Sequence, residues 1–109
     1  MTKKFLDLDF KCKTLKGEDI QVLGYKNIEY KNIAQYVADV IVARPSNQSM
    51  KIYSLAQELF NFGKLELDMA DFQLLKNQIL EVKMNTILEA QILRAFNEAK
   101  DVEVDNKDK

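Results

Sequence analysis

The sequence predicts an α+β fold: an N-terminal β-hairpin, with a third short strand near 65–67, packed on about four helices. Three observations carry this. Leu6, Leu8, Phe10 and Cys12 alternate with polar residues, which is the period of a half-buried strand. From residue 33 onward the apolar residues recur at helical spacing. Between those regimes lie the stop and start signals that divide the chain into elements.

The hairpin is expected over residues 5–24. Lys16-Gly17-Glu18-Asp19 supplies turn chemistry, and Ile20, Val22 and Leu23 can form the return strand ending at Gly24. A lone hairpin is marginal in water, so its apolar face must rest on the helices that follow. Tyr25-Lys26-Asn27-Ile28 is repeated as Tyr30-Lys31-Asn32-Ile33. A period of five suits neither helix nor strand, and the repeat reads as coincidence in a connection. Asn32 has a clearer role as a helix cap, with Gln35 as its capping-box partner.

The helix over 33–43 carries one charge, Asp39. Ile33, Tyr36, Val37, Val40 and Ile41 form one stripe, and Ala34, Ala38 and Val42 spread apolar character round the rest. Such a helix is buried on several sides, either at the centre of the domain or under a second subunit. It stops before Pro45. Ser46 or Ser49 can cap the next helix, in which Ile52, Leu55, Ala56, Leu59 and Phe60 face inward and Gly63 is the stop. Leu65 and Leu67 then alternate with Lys64 and Glu66 as a short strand able to join the hairpin. Asp68 caps the following helix, and Asp71 in its first turn favours the positive end of the helix dipole. Phe72, Leu75, Ile79 and Val82 point inward. Thr86 with Glu89 reads as a capping box opening a last helix that ends near Lys100. One continuous helix over 69–100 is the alternative; two helices suit a domain of this size better. The globular domain is placed at 1–100, and 101–109 reads as a disordered polar tail.

Composition excludes more than it assigns. The chain has 109 residues, enough for one core, and 16 basic against 17 acidic residues leave a net charge of −1. That balance argues against a strongly basic nucleic-acid binder. There is no histidine, so the commonest general base and zinc ligand are missing, and Cys12, the single cysteine, can form neither an intramolecular disulfide nor a Cys–His nucleophile. Cys12 reads as a small buried hydrophobe. The three glycines, 17, 24 and 63, are too scattered for a phosphate loop. No window approaches the ~18–20 apolar residues of a membrane span, and no run resembles a signal peptide. A cytoplasmic protein that is not an enzyme and needs no cofactor is the expectation.

Two acidic pairs are candidate sites. Asp68 and Asp71 sit three apart at a helix start, where capping explains them. Asp7 and Asp9 share a strand face but lie among lysines and lack further ligands at metal-binding spacing. Nucleic-acid contact would rest on Lys11, Lys13, Lys16, Lys26 and Lys31; the first 31 residues hold seven lysines and five acids, and Tyr25 and Tyr30 could stack on bases. A protein-binding surface is the better reading, because the helices carry more apolar surface than one round of packing needs. Tyr36, Val40, Tyr53, Phe60 and Phe62 are the candidate surface, for a protein partner or a second copy of the chain.

The order of these features resembles a group of small proteins of tailed bacteriophages and prophages. The matching segments are Leu6-Asp7-Leu8-Asp9-Phe10, then Leu15-Lys16-Gly17-Glu18-Asp19-Ile20, then the apolar helix 33–43 and the amphipathic helix 51–60. Leu65, Leu67, Asp71 and Phe72 follow, and Ala90-Gln91-Ile92-Leu93 closes the pattern. The resemblance implies a phage or mobile-element setting and a non-enzymatic accessory role. It assigns no site residues.

Overall fold

The computed structural model describes residues 2–27 and 29–103. Eight elements follow one another: strand β1 (Thr2–Asp7), a single 3-10 turn (Tyr25–Asn27), helices α1 (Ile33–Val42) and α2 (Ser49–Phe62), strand β2 (Lys64–Leu67), helices α3 (Met69–Val82) and α4 (Thr86–Asn97), and strand β3 (Lys100–Glu103). The α+β class holds: a three-stranded antiparallel sheet of order β2-β1-β3 packs against four helices.

The short strand near 65–67 forms and pairs directly with the first strand, Leu6 opposite Leu65 and Lys4 opposite Leu67. Leu6, Leu65 and Leu67 are buried on one face of the sheet, as their alternation requires. The hairpin over 5–24 does not form as a ladder. Its turn is present, with the Gly17 N–H donating to Thr14 O at 2.9 Å and φ +92° at Gly17. Around that turn only Lys13 and Asp19 form an isolated bridge, and Leu23 pairs with Glu29 in another. The physical reason lies in β1. Both of its edges are occupied, by β2 and β3, so a return strand at 20–24 has no free backbone to join. The strand also ends at Asp7, because the next residues serve other elements. Leu8 N–H donates to Gly63 O at 2.8 Å, Leu8 O accepts from Ala34 N–H at 3.2 Å, and Phe10 O accepts from Ile33 N–H at 2.8 Å. Two of the N–H groups that a helix start leaves without partners are thereby satisfied.

The caps fall largely where the chain signals them. Asn32 accepts from Gln35 N–H at 3.0 Å, and Gln35 Oε1 reaches back to the N–H of Lys31, one residue earlier than in the capping box. Asp68 accepts from Asp71 N–H at 2.8 Å. Gly63 ends α2 in the left-handed region, φ +73°, its N–H on Leu59 O. Residues 69–97 are two helices, broken where Lys83 adopts φ +58°. The last helix is capped by Asn85, whose Oδ1 accepts from Leu88 N–H at 3.1 Å, so Thr86 is its first helical residue and not its cap. Neither Ser46 nor Ser49 caps α2. Gln48 holds the cap position without a side-chain bond, while Ser46 Oγ accepts from Gln48 N–H within the preceding turn.

The expected tail starts too early. Residues 101–103 belong to β3, where Val102 is half-buried and Asp101 pairs with Lys4 Nζ at 2.7 Å; residues 104–109 lie outside the described residues, as does Ile28 of the five-residue repeat.

Candidate interaction surface

Helices α1 and α2 pack on each other, and both bury residues in the core, Ile33, Val37 and Ile41 of α1 and Ile52, Leu55 and Leu59 of α2. Their contact leaves an open groove of about 300 Å³ lined by Ala38, Asp39, Val42, Tyr53, Ala56 and Phe60, with Gln57 and Asn61 at its rim. Val42, Tyr53 and Phe60 expose 42%, 55% and 38% of their surface, so an apolar floor is open to solvent. Residues 53, 57 and 60 share one side of α2 because they are spaced three and four apart. Asp39 at the edge is engaged: Tyr30 Oη donates to its Oδ2 at 2.6 Å. Burial and that hydrogen bond push the Tyr30 hydroxyl up to about 12.

The five aromatic and aliphatic residues singled out from the sequence are not one surface. At 100° per residue, Tyr36 and Val40 lie on the flank of α1 away from Val42, and Phe62 on the flank of α2 away from Tyr53 and Phe60. Tyr36 packs edge-on against Tyr30, ring centroids 5.9 Å apart, and Val40 is half-buried against the core. Phe62 stands 67% exposed beside the start of β2. Only Tyr53 and Phe60 meet in the groove, and Val42 joins them. Val42 lies outside the apolar stripe of α1, among the residues that spread apolar character round the rest, and the exposure of its side depends on where α2 crosses.

A wider groove of about 540 Å³ lies between β1 with the chain after it and α4. Phe5, Phe10, Ala95 and Ala99 supply apolar wall, and the charges around it are mixed: Asp7, Asp9 and Glu98 against Lys11, Lys13, Arg94 and Lys100. Gln91 holds its rim together. Its Oε1 accepts from Lys13 N–H at 2.9 Å and its Nε2 donates to Lys13 O at 2.7 Å, so one side chain satisfies both backbone groups of a residue 78 positions away. Nothing in the local pattern marks Gln91 for that role.

The lysines of the N-terminal region are dispersed. Lys11 pairs with Glu29 at 3.2 Å and Lys13 pairs with Asp19. Hydrogen bonds and charge from these lysines hold the Asp19 and Glu29 carboxyls below the ordinary carboxylate range. Lys16 lies exposed in the turn, Lys31 donates its backbone N–H to Gln35, and Lys26 is exposed at φ +60°. The acidic pairs are occupied by structural work. Asp7 accepts from Asp9 N–H at 2.9 Å, Asp9 accepts from Asn32 Nδ2 at 2.9 Å, and Asp71 faces Lys51 at 3.3 Å. Among the described residues no group of three or more Cys, Asp or Glu is placed to hold a metal ion. Cys12 is buried, and burial pushes its thiol up to about 11, away from reactivity.

Fold and surface define an α+β domain with a three-stranded antiparallel sheet on four helices, and an open apolar groove between two of those helices. Among the described residues no helix is long and apolar enough to cross a membrane. Compared with protein families, with curated proteins and with solved structures, the chain shows no match.

Proposed function

We propose that this chain is a small non-enzymatic interaction protein that works by binding another protein or a second copy of itself. The observation that carries the reading is the groove between α1 and α2, where Val42, Tyr53 and Phe60 remain exposed. Fully burying a side chain of this size is worth about 1.5–3 kcal/mol, so covering the exposed parts of three is a sizeable drive for association. Aromatic residues held by rigid helices lose little entropy on binding and are enriched at interface centres. The phage or prophage setting rests on the order of sequence motifs alone.

A nucleic-acid-associated regulator using the N-terminal lysines is the second reading. The pairing of Lys11 and Lys13 with acids counts against it, because each neutralised lysine releases fewer counterions from a phosphate backbone.

A photo-crosslinking residue in place of Gln57, at the groove rim, tests the first reading in cells. A discrete protein adduct is expected, and Tyr53→Ser with Phe60→Ser should remove it while leaving the circular dichroism spectrum unchanged. An adduct indifferent to those changes overturns the groove reading. A salt-dependent mobility shift with DNA or RNA, lost on Lys11→Gln with Lys13→Gln, moves the assignment to the second.

A further inference from the structure

Among the described residues the sheet has two open edges, and they differ in a way that selects a partner. Hydrogen-bonded and non-hydrogen-bonded pairs alternate along an antiparallel ladder. Leu8 N–H bonds Gly63 O, so the pairs in register with it, Leu6 with Leu65 and Lys4 with Leu67, point their backbone groups into the β1–β2 ladder. Lys64 and Glu66 therefore turn their backbone N–H and C=O outward, and among the described residues these groups have no protein partner. By the same parity, β3 turns positions 101 and 103 outward.

Exposed rows of this kind are templates for strand addition. At β3 the outward position 101 is an aspartate whose carboxylate is already paired with Lys4 Nζ at 2.7 Å. At β2 the outward positions are one base and one acid. An antiparallel pair of β2 strands related by a twofold axis at Leu65 sets Lys64 of each copy opposite Glu66 of the other. The same register makes those two pairs the hydrogen-bonded ones, giving four backbone bonds from the four groups now open on each copy. The ends of β2 carry two of the exposed large apolar residues, Phe62 at 67% and Met69 at 52%. Both flank the strand, so the twofold arrangement places exposed apolar surface at each end of the shared ladder.

The geometry points to a second copy of this chain as the partner of the β2 edge, joined antiparallel about Leu65 into a continuous six-stranded sheet with a closed, isologous interface. This deepens the self-binding half of the interaction reading and rests on it.

Sedimentation equilibrium on the full chain tests it, with two charge variants. Glu66→Lys leaves two bases at the edge and Lys64→Glu leaves two acids. Each changes two cross-strand pairs at once and should raise the dimer dissociation constant by about tenfold to a hundredfold. Mixing the two variants one to one should restore a dimer, now a heterodimer, which loss of folding could not do. In hydrogen exchange the Lys64 and Glu66 amides should become protected as protein concentration rises, while those of Leu65 and Leu67 stay protected throughout. A wild-type dimer that both variants leave intact, or a mixture that stays monomeric, overturns the β2 interface but not the interaction reading. A wild-type chain that stays monomeric overturns self-association, and crosslinking at Gln57 then decides the groove separately.

Discussion

Residues 8–31 and residues 63–68 both connect regular elements, and they are held in opposite ways. Among its described residues the long stretch has two isolated bridges, the turn at Gly17, the 3-10 turn at Tyr25–Asn27 and two surface ion pairs. Its anchors are spaced out: Leu8 and Cys12 are buried, and Phe10, Ile20 and Val22 are half-buried. The six-residue stretch ends one helix, forms a strand and caps the next helix, with Leu65 and Leu67 buried. Ordering a residue costs about 1–2 kcal/mol whichever stretch it belongs to. The short connection offsets that cost at alternate positions, with Gly63, Leu65 and Leu67 buried and bonded, and with the cap at Asp68. The long one does so at intervals and depends on side chains of distant elements, Gln91 and Asn32 above all.

The sharpest way to break the contrast is Gly63→Ala. A Cβ there would lie 2.9 Å from Asp9 Cβ, and φ is already +73°. Steric overlap and left-handed strain together should cost about 2–3 kcal/mol, read as a lower midpoint in urea unfolding. Both connections should suffer, because Asp9 belongs to the long one. Gln91→Leu comes next. It leaves the backbone of Lys13 without its two partners and should cost about 1–2 kcal/mol. Hydrogen exchange should quicken around residues 12–20 and leave 63–68 unchanged. Asp68→Ala removes a helix cap and should lower stability by about 1 kcal/mol, confined to the short connection and the first turn of α3.

The smallest effects are those of pH, and they fall on the long connection. Asp19 and Glu29 have lowered folded values because Lys13 and Lys11 bond them. Their contribution is present above the ordinary carboxylate range and is lost as pH falls through those lowered values. Both lie at the surface, so the change should appear as faster local exchange near 13–29 without global unfolding. Tyr30 works in the other direction. Its folded value is raised to about 12, so its contribution is complete below the ordinary tyrosine range and is lost as pH rises through about 12. Tyrosinate absorbance should show one late phase, missing in Tyr30→Phe. An unchanged titration curve in that variant would remove the Tyr30–Asp39 bond from the account.

The two connections also differ in how much of them the sequence disclosed. Gly63, Leu65, Leu67 and Asp68 announce stop, strand and start within six residues; Leu59 and Asp71 satisfy the stop and the start locally, and β1 satisfies the strand. Leu6 to Cys12 announces alternation equally clearly, and Leu6, Leu8 and Cys12 are indeed buried. What the alternation could not announce was the partner. Ile20–Leu23 is the nearest segment able to pair, yet residues 64–67 and 100–103 take both edges of β1. The candidate surface was similarly half legible. Tyr53 and Phe60 share a helix side by spacing alone, but Tyr36, Val40 and Phe62 separate from them once α1 and α2 have crossed.

The chain by itself determined its helices, most of their ends, the turn at Gly17 and the burial of Cys12, because helical periodicity, caps and turns depend on residues within a few positions of one another. Tertiary structure decided which strands meet, that residues 101–103 complete the sheet, and that Gln91 fixes a backbone 78 residues away. The ladder bonds that choose a strand's partner are made by the backbone and are the same for every sequence. Only the competition among edges in the folded molecule settles it.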